Sequence, residues 1–236
     1  MSEPTRDEFF VGYLPTPPGV RRFALRIAYL ALALVIGAAT ALAFSHRRAG
    51  PASWDISLVV ELEGVLQTEP YGVLHLEEGS ALLVEATKFG LRPEASALEG
   101  RRVTLRGTLL QRDGDRMLAL LPGDDAFTDL GEDELPEASA LGKVQLTGNI
   151  VDSKCFLGAM KPGDGAGHRP CAQLCIRGGI PPVLISDDPE HPKVIVVDEE
   201  GRPMTEKVLP LVAEELTLSG QLFSQGDRKF FRTSLP

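Results

Sequence analysis

The chain has 236 residues, with 33 Asp and Glu against 24 Lys and Arg, a net charge of −9 and three cysteines. That length suits one or two compact units. A charged fraction of 24% and a mean hydropathy close to zero exclude a disordered chain and a multi-span membrane protein.

Residues 1–22 form a leader in which Phe9, Phe10 and Tyr13 accompany several prolines, as in an interfacial anchor. Ile27 to Phe44 then carries no formal charge, and the apolar run covers 23–45 if Arg26 snorkels to the headgroups. At about 1.5 Å per residue this approaches the ~30 Å of a bilayer core, so a transmembrane helix is expected. Ala41-Leu42-Ala43 offers a signal-peptidase site, but the run exceeds the ~7–15 residues of a signal sequence and favours a retained anchor. Arg6, Arg21, Arg22 and Arg26 precede it and only Arg47 and Arg48 follow. That bias predicts a single-pass protein of the cytoplasmic (inner) membrane, its N-terminus in the cytoplasm and its C-terminal domains outside.

Beyond residue 50 there are 18 basic and 30 acidic residues, a net of −12. A nucleic-acid-binding surface needs the opposite sign, so no nucleic-acid partner is expected. Asp124, Asp125, Asp129, Glu132, Asp133, Glu134 and Glu137 crowd a stretch without Lys or Arg. Residues 123–142 are therefore read as a solvated acidic linker between domains 54–122 and 143–236.

Both domains read as strands, and they read as two copies of one unit. VELEGVL from Val60 matches VQLTGNI from Val144, an offset of 84. Val73 matches Val183 at 110, Ala81 matches Lys193 at 112 and Gly107 matches Gly220 at 113. Five short strands per copy predict an all-β chain of two tandem OB-like barrels. The jump from 84 to 110 places an insertion at about 150–182, between the first and second strands of copy two.

That insertion holds all three cysteines, and ten of the 25 residues from Gly158 to Pro182 are Gly or Pro. Pro170 to Arg177 can form a short helix, stopped by Gly178, with Cys171 and Cys175 on one face. Cys155, His168, Cys171 and Cys175 are a candidate Cys3His metal site, and the Met160 thioether, if added, would favour copper over zinc. His191 is a more remote candidate ligand. The Cys-x3-Cys pair with its histidine resembles the ligand set of copper-delivery proteins for cytochrome oxidase and of binuclear copper centres; the resemblance covers these residues alone, and the far-downstream histidine of the former and the second histidine of the latter are not matched, so the ion is read as copper or zinc.

The expected function is a membrane-anchored, extracytoplasmic metal-binding or assembly protein, an accessory of a membrane-bound redox complex, leaning away from an enzyme. One alternative is a thiol–disulfide oxidoreductase centred on Cys171, activated by Arg169 and a helix N-terminus, with Cys175 or Cys155 resolving and Lys154 assisting. Another is a non-catalytic subunit of a membrane complex whose loop is stapled by a disulfide.

Overall fold

The computed structural model describes residues 16–45 and 50–235. Phe9, Phe10, Tyr13, Arg6, Arg47 and Arg48 lie outside the described residues. The run of Ala and Leu, both strong helix formers, gives α1 (Pro18–Ser45), with Pro18 at the position where a missing N–H goes unnoticed. Its segment Pro18–Leu42 is long and apolar enough to cross a membrane, a property that signal sequences near an N-terminus share.

Residues 51–236 form a second unit built of two closed five-stranded barrels in tandem. The first contains β1 (Ser53–Gln67), β2 (Val73–His75), β3 (Ser80–Glu85), β4 (Arg101–Arg112) and β5 (Asp115–Leu120). Strand β6 (Phe127–Glu132) adds to its rim. The second contains β7 (Ala138–Asp152), β8 (Pro182–Ser186), β9 (Lys193–Val197), β10 (Glu215–Gln225) and β11 (Arg228–Thr233).

The topologies are identical. In each barrel the first strand pairs antiparallel with the second and fourth, and the third runs parallel to the fifth. Register repeats as well: Val60 faces Gly107 as Val144 faces Gly220, and Leu66 faces Leu74 as Ile150 faces Leu184. These pairs reproduce the offsets 84, 110 and 113.

The offset of 112 needs correction. Leu83 faces Leu118 and Val196 faces Phe231, so the third strands are related by 113 and Ala81 corresponds to Val194. Both faces of β3 and β9 are buried, which removes the alternation that fixes register from sequence.

Equivalent glycines mark where the strands bend against each other. A β-carbon on Gly64 would stand 2.2 Å from the His75 carbonyl oxygen, and one on Gly148 would stand 2.0 Å from that of Ile185. The cores correspond too. Leu66, Leu74, Leu83, Leu105 and Leu118 fill the first barrel, and Ile150, Leu184, Val196, Leu218 and Phe231 the second. Each such side chain contributes about 1.5–3 kcal/mol by leaving water.

The acidic stretch 123–142 is only partly a linker. Phe127–Glu132 pairs with β4, whose Arg101 and Arg102 lie 2.8 Å from Asp129 and 2.7 Å from Asp133. The two adjacent arginines hold Asp129 within this sixth strand and Asp133 just beyond its end.

The larger departure from symmetry lies between β7 and β8. Residues 153–181 connect them, where residues 68–72 suffice between β1 and β2. The connection holds a π-helical turn, Cys155–Ala159, a 3-10 turn, Ala166–His168, and α2 (Arg169–Arg177). Ala172 and Ile176 of α2 join the second barrel's core, so the insertion is anchored from beneath.

The barrels also share a polar seam. Arg228, buried, donates to Ser80 Oγ at 2.6 Å, Ser80 O at 2.9 Å and Asp115 Oδ1 at 3.1 Å. The Tyr71 hydroxyl accepts from Met204 N at 2.9 Å, and burial pushes its pKa up.

Candidate metal centre

Asp152 ends β7, and the chain turns at once into the coil carrying Cys155. The Asp152 carboxylate shapes that turn: Oδ1 accepts from Cys155 N at 2.8 Å, and Oδ2 lies 3.1 Å from His168 Nε2. On α2, Cys171 and Cys175 share a face as their spacing predicts, Pro170 sits in the first turn, and Gly178 caps the end.

The insertion closes on itself so that two groups of ligand atoms converge within 4.8 Å: Cys155, His168 and Cys171, and Asp152, Cys155 and Cys175. Cys155 belongs to both. Cys155, Cys175, His168 and Asp152 are buried, while Cys171 is half-buried and forms the solvent side. The Cys155 and Cys171 sulfurs are 4.0 Å apart, and all three cysteines are free. At that spacing no disulfide, which needs about 2.05 Å, joins them in this structure, whose cysteines correspond to the reduced form. A tetrahedral ion with bonds of about 2.3 Å has an S–S edge near 3.8 Å, close to the observed spacing.

The cation at the mouth comes from the other barrel. Lys88 Nζ, in the loop after β3, donates to Cys171 Sγ at 2.9 Å and Cys175 Sγ at 3.6 Å. Its loop is docked by Gly90 N on Gly178 O at 2.9 Å, and a β-carbon on Gly178 would stand 2.0 Å from the Lys88 carbonyl. The hydrogen bond to Cys171 raises the Lys88 pKa above the usual lysine value. A hydrogen bond with Cys175, burial and the Asp152 charge push the Cys155 thiol up, whereas the same bond, with Lys88, holds Cys175 down.

Of the two expected helpers, Lys154 stays beside the cysteines and Arg169 acts elsewhere. Arg169 pairs with Glu214, not with Cys171. Lys154 donates to the carbonyls of Glu85 and Thr87, both at 2.6 Å, tying the insertion to the first barrel. Burial brings its pKa down to about 8, against the nearby Cys175 and Cys155, which raise it. Met160 is 48% exposed. His191 is engaged by Lys229, 3.1 Å from its Nδ1.

Asp152 and Lys88 are the residues that sequence reasoning missed. Asp152 had a local signal, a carboxylate three residues before a cysteine at a strand end. Lys88 lies 83 positions before Cys171, and nothing in the pattern connects them.

No family model matches the chain, and neither a curated protein nor a solved structure matches it.

Proposed function

We propose that the protein binds one soft or borderline metal ion, copper or zinc, through Cys155, His168, Cys171 and Cys175. The observation that carries this reading is a pair of ligand groups that share Cys155, one with His168 and Cys171 and the other with Asp152 and Cys175, each drawn within 4.8 Å. Asp152 on Nε2 leaves Nδ1 of His168 for the metal, the carboxylate–histidine arrangement that orients metal ligands. Lys88 offsets the negative charge of the thiolates. The half-buried Cys171 suits an ion that is passed on, and α1 suits attachment to a membrane. The role follows as a metal-holding or assembly accessory of a membrane-bound redox partner outside the cytoplasm.

Cobalt titration of the reduced, full-length protein tests the site. Thiolate-to-cobalt charge-transfer absorption saturating near one equivalent, and lost in Cys155→Ser, is the expected result. A reduced wild-type protein that develops no such absorption contradicts the reading. A reporter fused after Pro236 tests the compartment: activity outside the cytoplasm is expected, and activity confined to the cytoplasm reverses the orientation.

One observation favours a second reading, thiol–disulfide exchange. The Lys88 ammonium stands 2.9 Å from the sulfur of half-buried Cys171, with the Cys155 sulfur at 4.0 Å to resolve a mixed disulfide. On this reading Cys155→Ser accumulates mixed disulfides on Cys171 with a thiol-specific probe; on the metal reading the variant loses metal and traps nothing selectively.

A further inference from the structure

The seam between the barrels holds a cavity of about 210 Å³ that the metal centre does not use. Its deep walls are apolar and buried: Leu82 from β3, Val183 from β8, Ile195 from β9, and Phe156 and Leu157 from the Cys155 turn. Arg112 fixes one wall, donating to Phe156 O at 2.7 Å with its guanidinium 4.4 Å from the Phe156 ring. Ser153 also lines the space. Its side chain is buried, and Oγ has no hydrogen-bond partner. A buried hydroxyl left unpaired is destabilising, and an occupant with a polar atom relieves it.

The rim has the opposite sign from the rest of residues 51–236. Arg228 and Lys193 share one carboxylate, Asp115, and Asp227 accepts from Ser80 Oγ at 2.5 Å. Lys229 has no carboxylate partner among the described residues: Nζ meets Glu190 O at 2.8 Å and His191 Nδ1 at 3.1 Å. Three cations thus face two carboxylates around an apolar hollow.

We propose that this cavity is a binding site for a small organic anion, a monocarboxylate with a short apolar body. The body lies inward against Leu82, Val183 and Ile195, the carboxylate reaches Lys229 at the rim, and Ser153 Oγ gains a partner. A cavity of about 150 Å³ accommodates benzene, so this one takes about eight non-hydrogen atoms, the size of hexanoate. Ser153 lies between Asp152 and Cys155, so occupancy bears on the turn that carries the shared metal ligand. Binding itself does not require the metal.

Calorimetric titration of the full-length protein in lipid nanodiscs, with hexanoate, hexan-1-ol and hexylamine as probes, tests the assignment. Empty nanodiscs give the partitioning background. Saturable one-to-one binding of hexanoate is expected, with hexan-1-ol and hexylamine weaker by about tenfold or more, the value of a charge-assisted hydrogen bond. Lys229→Met, at a half-buried rim position, removes that preference without altering hexan-1-ol binding. Ile195→Phe fills the hollow and abolishes binding of all three. Hexanoate that fails to saturate at millimolar concentration, hexylamine that binds as well as hexanoate, or a Lys229→Met protein that keeps the preference overturns the proposal. Because metal content is read separately, failure here leaves the metal centre standing.

Discussion

The first barrel and the second differ in one connection and in what that connection brings together. Between β1 and β2 the chain crosses in residues 68–72; between β7 and β8 it takes residues 153–181 and gathers three thiols, His168 and Asp152. The ladders on either side keep their pairing order and register, down to the close glycines Gly64 and Gly148. The ligand-bearing connection sits on a barrel frame that keeps its topology, the setting in which loops on a rigid scaffold carry function. The plain barrel also takes part. It supplies Lys88, the cation on Cys171 and Cys175, and it receives Lys154 on its backbone carbonyls.

The equivalence of the frames is the first thing to break. Leu105 and Leu218 occupy matching core positions, so Leu105→Ala and Leu218→Ala should each cost about 2–5 kcal/mol of stability in denaturant unfolding. A cost confined to one of them shows that the barrels are alike in topology only. Next is the seam. Gly178→Ala drives a β-carbon into the Lys88 carbonyl and should cost about 1–3 kcal/mol. Gly167→Ala, with nothing within 4 Å, should leave unfolding unchanged. Equal effects from the two contradict the docking of the Lys88 loop.

Asp152→Asn sharpens the difference between the connections. It keeps the size of the side chain and removes the charge that orients His168, so metal affinity should fall about 10–100-fold in a competition titration. The smallest effect belongs to the plain barrel. His75 is buried with Nε2 2.7 Å from Gln67 Oε1, and burial lowers its pKa below the usual 6.5. The unfolded chain therefore binds the proton first as pH falls. His75 contributes stability above pH ~6.5 that is lost as pH drops through the folded value. His75→Gln should flatten that part of the stability–pH curve; an unchanged slope assigns the acid sensitivity to other groups.

Much of the frame is legible in the sequence because β1, β7, β4 and β10 alternate, and alternation carries register. The one-residue error at β3 and β9 arises where both faces are buried and alternation vanishes. Strand β6 was hidden by its charge: seven carboxylates read as solvent-exposed linker until Arg101 and Arg102 are seen across the ladder. Cys155, His168, Cys171 and Cys175 are legible as a set because they share one insertion. Lys88 is not, since its position depends on how two barrels pack, and Arg169 was misassigned because adjacency in sequence did not show that it turns to Glu214.

Elemental analysis of the full-length protein, purified gently from its source without chelators, tests the central claim most directly. About one copper or zinc per chain is predicted, falling to background in Cys155→Ser while the Leu105 and Leu218 cores keep the barrels folded. A folded wild-type protein with no bound metal and three titratable thiols contradicts it.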